Sequence, residues 1–336
     1  MKFFKGLGAT LLVLIIVYFL GPRPKTPRFA SSLPTVPAAP DQLDHYVKQK
    51  ESTHKIKPDN EARIVWFNDS IKQKTPYSII YLHGFSASQK EGDPVHKTLA
   101  RMYGCNLYLS RLAEHGLDTV DQMINLTADR LWNSALEALA IGKQIGDKVI
   151  IMGTSTGGTL ALRLAAYFPE IAGLILLSPN IAINDPNAWV LNNHWGLQIA
   201  RLVKGKFNSS SDTSAVYKQY WYHRYRMEST VELEELLETS MKSSLFSKIT
   251  QPVLMLYYYR DEDHQDEVVK VSAMLRMFRQ LGTADSLKRK VPVPAAGDHV
   301  IGSYIKSKDV KTVVDESAGF MDEILKIPKT DPAVVM

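Results

Sequence analysis

Short apolar runs alternate with longer amphipathic segments along most of the chain after residue 60. The apolar runs lie at 64–67, 78–82, 149–152, 174–177 and 252–258. Runs of this length are typical of strands buried on both faces of a sheet. The segment 127–145 instead carries Leu131, Ala135 and Leu139 at helical spacing. The alternation therefore predicts an α/β fold, with a mostly parallel central sheet and helices on both of its faces.

Residues 181–248 interrupt this alternation. Their pattern is helical, most clearly over 231–241, and they are rich in aromatic side chains. The aromatic residues are Trp189, Trp195, Phe207, Tyr217, Tyr220, Trp221, Tyr222 and Tyr225. We interpret this stretch as a helical cap on a core formed by residues 61–180 and 249–330. The rings either pack together as the core of the cap or, in part, line a pocket beneath it.

A serine stands at the end of one predicted strand. Residues 153–157 read G-x-S-x-G, directly after the apolar run 149–152. A helical segment follows and ends before Pro169. Serine at a sharp strand-to-helix turn has an exposed hydroxyl, and the flanking glycines avoid collisions with the neighbouring elements. The absence of a following lysine argues against a phosphate-binding loop. Ser155 is therefore the candidate nucleophile.

A serine hydroxyl is a weak nucleophile, so it needs a base that is oriented by an acid. His299 lies on a loop after the strand-like segment 290–293 and is the predicted base. The acid is expected in the loop after the run 252–258, where three aspartates compete. We favour Asp266, because the apolar pair 268–269 that follows it would bury and fix it. Asp261 and Asp263 remain alternatives.

An acyl-transfer site also needs two backbone N–H groups to bind the developing oxyanion. Thr156, the residue after the serine, is expected to supply one. The second is expected from the loop after the strand 78–82, where the chain continues His83-Gly84-Phe85. Phe85 would donate its N–H, and Gly84 would allow the chain to approach the substrate.

Taken together, these pieces resemble the α/β-hydrolase superfamily, over roughly residues 60–328. The resemblance is greatest to its carboxylesterase, monoacylglycerol lipase and lysophospholipase-like branch. It rests on residues 82–85, residues 153–158, the acid loop 252–269 and residues 298–301. The acid loop is several residues longer than is usual. The resemblance implies an α/β-hydrolase fold and a serine hydrolase that cleaves esters through an acyl-enzyme, with Ser155, His299 and Asp266 as its triad.

The composition of the chain limits the classes of ligand and partner that we expect. With 336 residues, 45% of them hydrophobic, the chain is long enough for one α/β core with an insert. Its formal charge of +5 comes from scattered lysines and arginines, so no nucleic-acid partner is expected. We expect no metal and no cofactor, since no cysteine–histidine spacing resembles a metal site. Cys105, the single cysteine, is interpreted as a small buried apolar residue.

The expected partner is a small ester or lipid-like substrate, with a medium or long acyl chain. Two alternatives use the same residues. One is a non-catalytic binding module on a hydrolase scaffold. The other is an acyltransferase or haloperoxidase that uses the same triad.

The beginning of the chain predicts a membrane attachment. An apolar run over residues 7–20 is flanked by Lys2 and Lys5 before it and by Arg23 and Lys25 after it. No small-residue cleavage site follows the run. We interpret residues 1–28 as an uncleaved membrane anchor, with a cleaved signal segment as the alternative. Residues 29–60 would be a Pro-rich linker, and the folded domain would lie outside the cytoplasm, on the periplasmic or secreted side.

Overall fold

The computed structural model describes residues 2–330, apart from the side chains of residues 2–6 and 9. Within this range the chain forms a seven-stranded sheet, a small two-stranded sheet and helices packed around them. The strands are β1 (Arg63–Val65), β2 (Thr75–Leu82), β3 (Asn106–Leu109), β4 (Gly146–Thr154), β5 (Gly173–Leu177), β6 (Phe207–Ser209), β7 (Arg224–Arg226), β8 (Val253–Tyr257) and β9 (Lys288–Pro292).

The helices follow in the same numbering. They are α1 (Lys2–Phe19), α2 (Pro40–Ser52), α3 (Val95–Met102), α4 (Ala128–Ile145), α5 (Thr156–Tyr167), α6 (Gly196–Lys204), α7 (Ala215–Tyr220), α8 (Met227–Ser240), α9 (Ser243–Phe246), α10 (Val271–Gln280) and α11 (Val310–Glu323). Caps fix several of their ends. The hydroxyl of Thr127 accepts a hydrogen bond from the N–H of Arg130 at the start of α4, and Asp309 does the same for Thr312 in α11.

The large sheet has the strand order β1-β3-β2-β4-β5-β8-β9. All neighbouring pairs are parallel except β1 and β3, so the predicted mostly parallel sheet is confirmed. The central strands β4, β5 and β8 carry continuous apolar residues because helices cover both faces. Parallel strands end at the same edge of the sheet, and this edge is where ligands bind in such folds.

Alternate residues of the central strands belong to two separate apolar layers, one on each face of the sheet. Ile151 of β4 and Leu176 of β5 pack with α2, α4, α5 and α10 on one face. Ile150 and Ile175, each one position earlier, pack with α3 and α11 on the other face. Burial of both layers holds the carboxyl ends of β2, β4 and β8 in fixed relation, and these ends carry the candidate site residues.

The insert between β5 and β8 contains more than the predicted helices. Helices α6, α7 and α8 lie in it, and α8 contains the predicted segment 231–241 except for its last residue. It also contains the antiparallel pair β6 and β7, which the aromatic pattern did not predict. Arg224 of β7 lies over the ring of Phe207 of β6, with 3.6 Å from the guanidinium carbon to the ring centre. This cation–π contact helps to hold the two short strands together.

The predicted Pro-rich linker, residues 29–60, contains a helix. Helix α2 lies within it and buries Leu43 and Val47 in the core. Pro40 occupies the first turn of α2, where proline starts a helix rather than breaking it. In the range 2–330 no helix has the length and apolar character required to cross a membrane. The predicted membrane-spanning segment, part of which is the undescribed Met1, is therefore not supported.

Candidate active site

Ser155 occupies a tight turn between β4 and α5. Its backbone has φ 53° and ψ −117°, a strained combination for a residue with a side chain. The glycines around it have no room for a Cβ atom. A Cβ on Gly153 would lie 2.5 Å from the carbonyl oxygen of Gly157, and one on Gly157 would lie 1.9 Å from that of Leu82. Close packing of β2, β4 and α5 therefore requires both glycines and holds Ser155 in place.

His299 and Asp266 form a hydrogen-bonded pair that is largely shielded from solvent. Nδ1 of His299 lies 2.6 Å from Oδ2 of Asp266, and the carboxylate side chain is fully buried. The other oxygen of Asp266 accepts the N–H groups of Val268 and Val269, at 2.9 and 3.0 Å. With its Nδ1–H donated to the carboxylate, the imidazole presents Nε2 as its free basic nitrogen.

The two competing aspartates lie elsewhere in the same loop. Asp261 is half-exposed and binds within its own turn, where it accepts the N–H groups of Asp263 and His264. Asp263 is exposed. The structure therefore places Asp266, not Asp261 or Asp263, against His299. The extra length of the loop is taken up by this turn, in which Arg260 donates its N–H to the carbonyl of His264.

The surroundings of His299 favour its charged form. Burial alone lowers the pKa of this imidazole, but the charge and hydrogen bond of Asp266 outweigh it and raise the pKa above its usual value. The carboxylates of Glu91 and Asp298 act in the same direction. An imidazolium formed by accepting a proton is thus stabilised at this position.

The two predicted oxyanion donors lie at adjacent edges of the site. Thr156 begins α5, and Phe85 follows β2 in a loop that lines the same cavity as Ser155. Among residues 2–330, neither the N–H of Phe85 nor that of Thr156 has a hydrogen-bond partner. Both are therefore free to bind an oxygen atom, and the N-terminus of α5 adds its positive dipole.

Two buried histidines shape the loop that carries Phe85. Nε2 of His83 accepts the N–H of Leu112, and Nε2 of His115 accepts the N–H of Ser86, both at 3.0 Å. A ring nitrogen can accept a hydrogen bond only when it carries no proton, so both imidazoles must be neutral. Burial lowers the pKa of His83 to about 4 and that of His115 well below its usual value. Both rings therefore hold the loop by accepting backbone N–H groups, and the part played by His115 was not predicted.

Glu91 is a further carboxylate at the site that the sequence did not reveal. It lies in the short helical turn Gln89–Gly92, is 2% exposed and lines the cavity together with Ser155 and His299. Its carboxylate accepts the N–H of Gly84. Burial raises the pKa of Glu91 to about 7, although the Gly84 N–H and the nearby His299 favour its charged form. No motif marks this residue, although its partner Gly84 lies only seven positions before it.

A cavity of about 730 Å³ joins these residues to the insert. The insert contributes polar side chains such as Asp185, Asn187, Lys204 and Asn208, and a larger set of aliphatic ones, which are Ile183, Ala188, Val190, Leu191, Ile199, Ala200, Val203, Met227 and Leu233. Only Tyr217, Trp221 and Tyr225 among the predicted aromatic residues line it. Tyr217 stacks on Trp221 with ring centres 5.4 Å apart. The cavity is therefore a mostly apolar chamber with a polar side near Asp298 and Lys306.

The remaining thiol and potential metal ligands lie outside this arrangement. Cys105 is 2% exposed, directly before β3, and burial raises the pKa of its thiol to about 12. It is an inert apolar side chain at neutral pH. Within the described range, no group of three or more His, Cys, Asp or Glu side chains is arranged to hold a metal ion.

The chain belongs to the alpha/beta hydrolase family, whose family model matches residues 79–308. It is 25% identical over 190 residues to a thermostable monoacylglycerol lipase of Bacillus sp. (strain H-257), covering 56% of this chain and 71% of that relative. These findings support an enzyme that hydrolyses esters.

Solved structures of similar fold include lipolytic and esterase proteins. A structure from work on the metagenome-derived lipolytic enzymes LipS and LipT superimposes with a TM-score of 0.63, 17% identity and coverage of 80% of this chain and 99% of that one. Monoacylglycerol lipase of Paleococcus ferrophilus gives a TM-score of 0.51, 16% identity and coverage of 76% and 99%. At these identities the likeness establishes the fold, which is the predicted α/β-hydrolase fold.

Proposed function

We propose that the protein is a serine esterase that cleaves carboxylic esters through an acyl-enzyme. One observation carries the proposal: Ser155 stands at a strained turn and lines the same cavity as His299, whose ring is hydrogen-bonded to the buried Asp266. A nucleophile and a base at one cavity, with a carboxylate behind the base, form the constellation used for acyl transfer.

In the first half of the reaction, Oγ of Ser155 attacks the ester carbonyl carbon while Nε2 of His299 takes the hydroxyl proton. The carbonyl oxygen becomes an oxyanion, which the N–H groups of Phe85 and Thr156 bind. Asp266 stabilises the imidazolium that has formed. The carbon–oxygen bond to the alcohol then breaks, and His299 gives its proton to the departing alkoxide, so that a neutral alcohol leaves an acylated Ser155.

In the second half, water takes the place of the alcohol. His299 removes a proton from the water as its oxygen attacks the acyl carbon, and the same N–H groups bind the second oxyanion. The bond to Ser155 breaks, and His299 returns the proton to its oxygen. The products are a carboxylic acid and the free enzyme, which has undergone no net change.

The cavity supports a medium or long acyl chain as the substrate. Its aliphatic lining from the insert matches the surface of an alkyl chain, and its volume is within the range of small-molecule sites. The polar side near Asp298 and Lys306 suits a hydroxylated or otherwise polar alcohol group. The similarity to a monoacylglycerol lipase, which covers 71% of that relative, is in keeping with such an ester.

A fluorophosphonate probe tests the serine mechanism directly. We expect covalent labelling at Ser155, identified by mass spectrometry of the labelled peptide, and loss of that label in Ser155→Ala. A series of p-nitrophenyl esters from acetate to hexadecanoate then measures the acyl preference. Folded wild-type protein that is neither labelled nor active on any ester would favour a non-catalytic binding module instead.

A further inference from the structure

Glu91 has no part in the reaction steps above, yet it lies among the residues that perform them. Gly84 separates its carboxylate from the nucleophile. A Cβ built on Gly84 would lie 2.8 Å from Oε1 of Glu91 and 3.1 Å from Cβ of Ser155. A carboxylate this close to a nucleophile affects the charges that develop during the reaction. Because it is also buried, it needs a hydrogen-bond partner.

The partner of Glu91 is the backbone of the oxyanion loop. The N–H of Gly84 is donated to Glu91, while the carbonyl of Gly84 accepts from Nδ1 of His83 and from the N–H of Ala87. The carbonyl of Gly84 and the N–H of Phe85 belong to one planar peptide group and point in opposite directions. Holding Gly84 on both sides therefore sets the direction of the Phe85 N–H.

Glu91 also faces the insert and the catalytic imidazole. The indole of Trp221, 3% exposed, interacts with the carboxylate and favours its charged form, as does His299. The hydroxyls of Tyr81 in β2 and Tyr217 in the insert, and the Asp298 carboxylate, are further titratable groups that interact with it. One buried side chain thus contacts the sheet, the oxyanion loop and the insert.

We propose that Glu91 is a positioning residue, which holds the Phe85 donor toward the oxyanion and, when charged, stabilises the imidazolium of His299. The inference rests on the proposed serine esterase function. It assigns two separable tasks to one carboxylate. The first is to accept the Gly84 N–H, which an amide oxygen can also do. The second is to supply a negative charge, which an amide cannot do.

Two substitutions separate these tasks. Glu91→Ala leaves the N–H of Gly84 without its acceptor, so kcat is expected to fall roughly 10- to 100-fold, with KM changed less than threefold, because the oxyanion exists only during the reaction. Glu91→Gln restores an acceptor and is expected to recover kcat to within about threefold of wild type. Without the charge, the pKa of His299 falls, so the acid limb of the kcat/KM profile moves to lower pH by roughly half a unit or more.

The experiment measures kcat and KM of the full chain on a p-nitrophenyl ester between pH 5 and pH 9, with circular dichroism to verify folding. Glu234→Gln is the matched control. Glu234 is also a buried carboxyl whose pKa burial raises to about 7, but it does not line the cavity. Its substitution is expected to leave kcat and the acid limb unchanged.

The outcomes are distinct. The proposal is overturned if Glu91→Ala retains wild-type kcat, or if the acid limb of Glu91→Gln coincides with that of wild type. Should Glu91→Ala fail to fold, the acid limb of Glu91→Gln decides by itself. A wild-type protein that is folded but neither active nor labelled at Ser155 would refute the esterase function and this inference with it. An active wild type with unaffected Glu91 variants would refute the inference alone.

Discussion

Oδ2 of Asp266 lies 2.6 Å from Nδ1 of His299, with the carboxylate fully buried and the imidazole side chain 9% exposed. Asp266 is itself held by the N–H groups of Val268 and Val269, so it cannot turn away from the ring. If the pair acts as proposed, Asp266→Asn should lower kcat by about three orders of magnitude, because the amide no longer stabilises the imidazolium.

The control for this prediction is Asp261→Asn, in the exposed turn of the same loop. We expect its kcat to remain within about twofold of wild type, because surface substitutions away from such contacts are usually mild. Steady-state kinetics on a p-nitrophenyl ester compare the two variants, and thermal unfolding verifies that both are folded. Equal losses in the two variants, or a loss confined to Asp261→Asn, would contradict the assignment of the acid.

This pair also illustrates what the sequence could and could not predict. The strand-turn-helix around Ser155 was predictable, because a local pattern of glycines and apolar residues determines it. The loop 259–269 contains three aspartates within six positions, and only tertiary packing decides which one meets a histidine 33 residues later. The prediction of Asp266 rested on burial of both valines, but Val268 is 51% exposed and Val269 alone is buried. The backbone N–H groups of the two valines hold the carboxylate instead.

Other residues eluded prediction for a related reason. Glu91 and His115 act through backbone groups of the oxyanion loop, from seven positions after Gly84 and 29 positions after Ser86. No pattern of residues marks these contacts, and the burial of both side chains follows from packing of the whole domain. The aromatic residues of the insert were conspicuous in the sequence, but most of them do not line the cavity. The insert lines the cavity with more aliphatic than aromatic side chains. Composition marked the insert as unusual and could not show which side of it faces Ser155.

The turn around Ser155 should be sensitive to a single added methyl group. A Cβ on Gly157 would lie 1.9 Å from the carbonyl oxygen of Leu82, a backbone atom that cannot move without disturbing β2. We expect Gly157→Ala to lower the free energy of unfolding by about 3 kcal/mol or more, or to prevent folding. Denaturant unfolding measures the change.

Gly319 provides the matched control in helix α11. A Cβ added to Gly319 would lie 3.5 Å from its nearest neighbour, a side-chain nitrogen of Arg289, which is an ordinary contact distance. Because alanine is favoured over glycine within helices, Gly319→Ala should be neutral or should stabilise the fold by up to about 1 kcal/mol. Similar destabilisation by Gly157→Ala and Gly319→Ala would mean that the turn around Ser155 is not packed more tightly than an ordinary helix surface.

Glu234 gives a prediction of pH-dependent stability. Burial raises its pKa from the ordinary 4.5 to about 7, and its Oε2 has no hydrogen-bond partner among the described residues. The folded protein therefore binds a proton that the unfolded chain releases between pH 4.5 and pH 7. The associated stability is complete below pH 4.5 and is lost as the pH rises through 7.

Glu234→Gln should remove this loss, because the amide stays neutral at every pH. The variant should resemble wild type at pH 4.5 and exceed it at pH 8 by about 1 kcal/mol in unfolding free energy, a value reduced for partial solvent access. Urea unfolding at the two pH values measures the difference. A variant less stable than wild type at pH 8 would show that the charged carboxylate is compensated in the folded protein.

The insert should determine the acyl preference, and helix α6 offers a paired test. Ala200 lines the cavity, whereas Leu202 on the same helix has 87% of its surface exposed. Ala200→Trp fills part of the chamber with an indole, so kcat/KM for a dodecanoate ester should fall roughly tenfold or more relative to acetate.

Leu202→Trp adds the same ring on the outside and should leave the ratio of dodecanoate to acetate unchanged. The ratio is measured with p-nitrophenyl esters for both variants and for wild type. If Ala200→Trp retains the wild-type ratio, the aliphatic chamber does not hold the acyl chain, and the chain must lie on the polar side near Lys306 instead.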